Sequence, residues 1–333
     1  MSVKHKKKPT ITVIGGQGYI GNIVCGDLLK QKYKVISIDN RIYDQRINLN
    51  FSKNKNYKNY NLSISKKKRI LEIVKKSDYV VFLASAVGDP ITKKYPKIST
   101  KINEKFTLSL LKGISKISIR KLIFISTCSN YGISKKIVNE KSELKPLSVY
   151  AKNKVMIEKF LLNKKNSYKF PIVILRFATA FGWSPRMRFD LTINEFVRSF
   201  FLKENFDLYD PFTWRPYCHV KDFSRIIEKV INSPKKVKRE VFNVGSNLNN
   251  FTKNQVVKKI SKYLKKPMIS LVNNSTVDMR NYKVDFSKLK NFYKISPKYS
   301  VDYGIKEIIS NIKKNPKIYF NKKKFGNYEI KRY

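Results

Sequence analysis

Two side chains four residues apart carry the clearest chemical signal in this chain: Tyr150 and Lys154, in Tyr150-Ala151-Lys152-Asn153-Lys154. That spacing puts both on one face of a helix. A free phenol, with a pKa of about 10, is a poor base at neutral pH. An ammonium beside it favours the phenolate, so the pair could draw a proton from a substrate hydroxyl. With 71 Lys+Arg residues in the chain, Tyr-x-x-x-Lys also arises by accident, and its meaning depends on its surroundings.

A second signal lies near the start. The apolar run Ile11–Ile14 leads directly into Gly15-Gly16-Gln17-Gly18-Tyr19-Ile20-Gly21. Gly15, Gly18 and Gly21 let a strand turn tightly into a helix, and the helix N-terminus favours a pyrophosphate. Asp39 follows 18 residues after Gly21, at the end of the next apolar run. A carboxylate there can bond both ribose hydroxyls of an adenosine and repels a 2′-phosphate, which favours NAD; Arg41 leaves a small opening for NADP.

The elements that must position these groups alternate. Strands are predicted at Thr10–Ile14, Lys34–Ile38, Tyr57–Leu62, Tyr79–Leu83, Lys121–Ser126 and Pro171–Arg176. Helices are predicted between them at Tyr19–Gln31, Lys66–Lys76, Ile98–Ile117 and Val149–Leu162. This alternation predicts an α/β fold with a Rossmann-type, doubly wound parallel sheet. After Gly182 the pattern becomes irregular, with helices at Leu191–Lys203, Val220–Ile231, Lys253–Leu264 and Gly304–Lys313 and a short strand at Val241–Val244. We expect a dinucleotide domain over residues 9–180, a smaller mixed α/β substrate lobe over 181–315, and loose basic tails at 1–8 and 316–333.

The Gly-x-x-Gly-x-x-Gly spacing resembles the extended short-chain dehydrogenase/reductase family, in its NAD-dependent epimerase/dehydratase branch. Ser126-Thr127-Cys128-Ser129-Asn130-Tyr131-Gly132, at the end of the fifth strand, is similar to that family's Ser-Ser/Thr-x-x-x-Tyr-Gly motif. Motifs in family order run from about Thr10 to Lys313. The resemblance implies catalysis by Thr127, which bonds the substrate oxygen, with Tyr150 and Lys154. It implies an NAD site of Gly15, Gly18, Tyr19, Ile20, Gly21, Asp39, Asn40, Leu83, Ala84, Ala86, Asn103, Tyr150 and Lys154. It implies a nucleotide-diphosphate sugar held by Thr127, Ser129, Thr179, Arg186, Arg188, Asn194, Arg215 and Arg280. Arg215 and Arg280 match arginines that grip the substrate diphosphate. Arg186 and Arg188 could read an acidic or hydroxyl-rich sugar, or phosphates, or organise a loop. Thr179 stands where many relatives carry Asn, which argues against assuming UDP-glucose/galactose. Cys128 and Ser129 occupy the places of the Asp-Glu pair that sugar dehydratases use, so water elimination is disfavoured.

The implied activity is epimerisation, at C4, through a transient ketosugar. A net dehydrogenase or ketoreductase uses the same half-reaction, and a non-catalytic nucleotide- or RNA-binding member is the remaining alternative. The net charge of +48 would serve nucleic-acid binding, yet its lysines are spread along the whole chain rather than gathered on one element. Cys25, Cys128 and Cys218 are too few for a disulfide framework, and with His5 and His219 they show no metal-ligand spacing. No apolar run approaches a membrane span and no secretory leader is visible, so we expect a cytoplasmic protein without metal or membrane partner. The resemblance implies a homodimer paired through the helices bearing Asn103 and Tyr150.

Overall fold

The structure is a computed structural model that describes residues 8–43, 49–234, 237–273 and 279–332. The first eight residues therefore lie outside it save Lys8. Seven strands form the central sheet: β1 (Thr10–Ile14), β2 (Lys34–Ile38), β3 (Tyr57–Tyr60), β4 (Tyr79–Phe82), β5 (Lys121–Thr127), β7 (Ile172–Phe177) and β11 (Arg239–Val244). The short β6 (Ile133–Val138), β8 (Thr179–Phe181), β9 (Phe206–Tyr209) and β10 (Trp214–His219) come between these in the chain, and β12 (Asn250–Thr252), β13 (Ile269–Val272) and β14 (Asn281–Val284) follow. The helices are α1 (Tyr19–Lys30), α2 (Lys67–Val74), α3 (Asp89–Lys94), α4 (Pro96–Thr100), α5 (Thr107–Ile114), α6 (Val149–Leu162), α7 (Thr192–Leu202), α8 (Val220–Asn232), α9 (Lys253–Ile260), α10 (Ser287–Tyr293) and α11 (Val301–Lys314).

The sheet order is β11-β7-β5-β4-β1-β2-β3, and every neighbouring pair is parallel. β5 and β7 are buried along their whole length, their Val/Ile/Leu/Phe stretches covered on both faces of the sheet. The chain runs from β1 outward through β2 and returns to β4 on β1's other side. That reversal opens a crevice at the carboxyl ends of β1 and β4, where open α/β sheets bind ligands. The smaller lobe packs α7, α9 and α11 around a core of Phe181, Phe189, Phe196, Tyr217, Ile305 and Ile308.

Three expectations are corrected. Val241–Val244 belongs to the central sheet as part of β11, and α8 packs on α1 against its face, so the boundary at residue 180 does not divide the molecule. Both segments read as second-lobe elements because their partners lie more than 60 residues away in the chain. The predicted helix Ile98–Ile117 is interrupted by a π-helical turn, Lys101–Phe106, after which the Thr107 hydroxyl donates back to the Ile102 carbonyl. The segment 316–332 is not a loose tail: Tyr319 and Phe325 pack on Phe189, and the Phe189 amide donates to the Phe325 carbonyl at 2.7 Å.

Candidate active site

A cleft of about 700 Å³ opens at the β1/β4 crevice and runs to the second lobe. Gly15 has φ of +91°, and a Cβ there would meet the Ala84 amide nitrogen at 2.6 Å. A Cβ on Gly21 would meet the Gly15 carbonyl at 2.2 Å, so α1 can start only if residue 21 lacks a side chain. The loop is closed by Asp39, whose carboxylate accepts from the backbone amides of Gln17 at 3.0 Å and Arg41 at 2.7 Å. Burial pushes the Asp39 pKa up, against those amides and the nearby Arg186 and Arg41 charges. Gly15, Gly18, Tyr19, Ile20, Gly21, Asp39 and Asn40 all line the cleft, as do Leu83 and Ala84.

Ala86 and Asn103 stand behind that wall rather than on it. The Asn103 side chain, turned inward by the π-helical turn, accepts from the Ser85 hydroxyl at 2.8 Å and the Ala86 amide at 2.7 Å. It also donates to the Ala86 carbonyl at 3.0 Å. Asn103 therefore clamps the loop after β4, and Ser85 and Val87 present themselves to the cleft.

Thr127, Tyr150 and Lys154 meet at the carboxyl end of β5. Ser148 caps α6 by accepting from the Ala151 amide, which fixes where Tyr150 enters the cleft. The Lys154 Nζ lies 5.8 Å from the Tyr150 ring centre and donates to the Ile125 carbonyl at 2.9 Å. Burial lowers its pKa to about 7, opposed by the charge of Glu158 one turn on. Glu158 is itself locked by Arg176, by Asn130 Nδ2 at 2.9 Å and by the Ser126 hydroxyl. Cys128 is buried, its thiol donates to the Arg176 carbonyl, and burial pushes its pKa up, so it offers no thiolate.

Ser129, Thr179, Arg215 and Arg280 also face the cleft, and Arg280 donates to the Ser129 hydroxyl at 2.7 Å. The two arginines of the 184–190 segment part company. Arg188 forms a two-point ion pair with Asp190, at 2.6 and 3.1 Å, and organises its loop. Arg186 stacks 5.0 Å over Tyr43, and its buried Nη2 has no hydrogen-bond partner. Burial and the like charge of Arg188 lower its pKa to about 10. Asn194 does not reach the cleft: its amide is used by Gly182, Tyr19 and Arg188. Tyr43 and Asn327, both on the cleft wall, escaped the sequence reading because neither sits in a motif or a periodic element.

The sequence profile of the NAD dependent epimerase/dehydratase family matches residues 11–245. The chain belongs to this family. A UDP-glucuronate 4-epimerase of Thermodesulfobacterium geofontis is 26% identical over 314 residues, spanning 91% of this chain and 96% of that protein. The uncharacterized UDP-glucose epimerase YtcB of Bacillus subtilis is 31% identical, over 71% of this chain and 76% of its own. Among solved structures, a UDP-glucose 4-epimerase from Thermotoga maritima, with UDP-glucose, superposes with a TM-score of 0.81 at 27% identity, covering 92% of this chain and 99% of that one. This epimerase/dehydratase chain fits its coenzyme on its own geometry. The glycine turn leaves no side chain between α1 and a pyrophosphate, and the Asp39 carboxylate lines the cleft where an adenosine ribose could bond it. Among the described residues no group of His, Cys, Asp or Glu could hold a metal, and no helix is long and apolar enough to cross a membrane.

Proposed function

We propose that this chain, an NAD-dependent nucleotide-sugar C4 epimerase, takes a sugar bearing a carboxylate, a nucleotide-linked uronic acid. The observation that carries this is Arg186, a buried guanidinium on the cleft wall whose Nη2 has no hydrogen-bond partner. A buried guanidinium N–H left without an acceptor is costly, and a carboxylate on the ligand would satisfy it through a charge-assisted bond. Arg215 and Arg280 would hold the diphosphate, with Ser129 between Arg280 and the sugar. Thr127 would orient the hydroxyl at C4, and Tyr150, kept as phenolate by Lys154, would take its proton and later return it. Bound NAD supplies the hydride acceptor and donor for both half-reactions.

The test is turnover of UDP-glucuronate against UDP-glucose, followed by NMR of the anomeric protons. We expect the uronate to be preferred by kcat/KM, and Arg186→Ala to reduce that preference at least tenfold. Equal use of both sugars by the native chain would sink the uronate assignment, while accumulation of free NADH would mark a net dehydrogenase instead. The same reading includes a cytoplasmic homodimer paired over α6, where Met156 and the preceding Leu147 are exposed apolar groups for a partner to cover. Sedimentation of the native chain beside Met156→Glu tests it, with a monomer from the native chain as the contrary result.

A further inference from the structure

We infer that the C-terminal segment after α11 is a wall of the coenzyme site, with Asn327 as a coenzyme-binding residue. The segment leaves α11 at Lys314 and is pinned first to the second lobe. Arg198 on α7 donates to the Tyr319 carbonyl at 2.8 Å and the Phe320 carbonyl at 2.7 Å. Lys322 pairs with Glu195, and Phe325 packs on Phe189 and Tyr319. The chain then crosses to the dinucleotide side. Asn327 Nδ2 donates to the Val87 carbonyl at 2.8 Å, in the loop after β4. The Lys331 and Arg332 amides reach the Ile42 carbonyl, three residues past Asp39. One strap thus ties the second lobe to both loops that rim the crevice.

Asn327 is the residue that faces inward. It is only 4% exposed and lines the cleft, yet its Oδ1 is buried without a hydrogen-bond partner. Its amide is already oriented, because Nδ2 is committed to Val87, so Oδ1 is a fixed acceptor. Leaving such an atom unsatisfied costs free energy that a ligand donor would recover. The adenosine half of NAD offers such donors in its ribose hydroxyls and its adenine amino group. The strap's onward path to Ile42 runs toward the Asp39 end of the cleft, where that half belongs.

The consequence is slower coenzyme release, since Asn327, carried on the strap, lines the cleft that NAD would occupy. The experiment measures NAD dissociation by displacement of isotopically labelled NAD from the full chain, at a temperature well below unfolding. Comparison is with Asn327→Ala and with a chain ended after Gly326, which keeps the Phe325 contacts. We expect release at least tenfold faster from the shortened chain and severalfold faster from Asn327→Ala. Rates within twofold of the full chain for both variants would overturn the assignment. Uronate preference plays no part in this readout, so failure of the proposed substrate and failure of the strap are separable.

Discussion

Glu158 lies on the buried face of α6, one turn after Lys154, and its replacement by Gln should cost more than any change at an exposed ion pair. Its side chain and that of Arg176 are 2% and 5% exposed, and their closest approach is 2.6 Å. Arg176 Nε also donates to both carboxylate oxygens at 3.1 Å, and Nη1 donates to the Tyr131 hydroxyl at 2.9 Å. Glu158→Gln keeps an acceptor for Ser126 and Asn130 but leaves the guanidinium buried without its counter-charge. Breaking a buried pair on one side costs about 3–5 kcal/mol. At about 2.1 cal/mol/K of unfolding entropy per residue, 333 residues carry roughly 0.7 kcal/mol/K. The melting midpoint should therefore fall by about 4–7 °C. Asp27→Asn, which breaks the exposed Lys30 pair, should shift it by less than about 1 °C. Glu158→Gln also removes the charge that holds the Lys154 pKa up, so the alkaline limb of the rate profile should move to lower pH. Differential scanning calorimetry and a pH–rate series read both effects. A Glu158→Gln midpoint within about 1 °C of the native chain would refute the argument that this pair is structurally committed.

Lys154 also marks the stability of the coenzyme-free chain. Its pKa is lowered to about 7 by burial, so between that pH and the ordinary lysine value the unfolded chain holds a proton the folded one lacks. Stability should rise with pH through that window, and Lys154→Met should flatten the rise; identical slopes of urea midpoint between pH 7 and pH 9.5 would count against a buried lysine. Asn103→Ala removes three hydrogen bonds from the loop after β4 and should weaken NAD binding about tenfold in calorimetric titration, with the circular dichroism spectrum unchanged. An unaltered affinity would show that the loop holds itself. Asp39→Asn should shift the NADP-to-NAD affinity ratio at least about tenfold toward NADP, because the repelling charge is gone; a fixed ratio would mean that Arg41 sets the preference.

What could be read from the sequence follows the range of the physics. The glycine turn, Asp39 and the Tyr150/Lys154 pair are set by local rules: a turn needs missing Cβ atoms, and four residues make a helical turn. These positions lie together in the structure as their spacing requires. The strands β1, β4, β5 and β7 announce themselves because burial on both faces favours predominantly apolar runs. β11 has the same character, Val241-Phe242-Asn243-Val244, but nothing local tells a seventh sheet strand from a strand of the second lobe. Only its register against β7 decides.

Side-chain roles were legible only where partners are near in sequence. Arg188 and Asp190 are two residues apart, and that Arg-x-Asp spacing could have separated a loop-organising arginine from Arg186. Asn103 keeps its place by bonding residues 17 and 18 positions away, and the π-helical turn that aims it leaves no mark on the apolar period. Asn327 lies farther out of reach still: its partner is 240 residues upstream, and its neighbours Lys322-Lys323-Lys324 read as a solvated run. Net charge hid the segment, because a lysine-rich stretch is cheap to leave in water. What folds it is a few apolar and polar anchors, Tyr319, Phe325 and Asn327, each spaced too irregularly to give a helical or strand signal. A strap of that kind is held by the surface it crosses rather than by its own pattern, and only the structure of that surface reveals it.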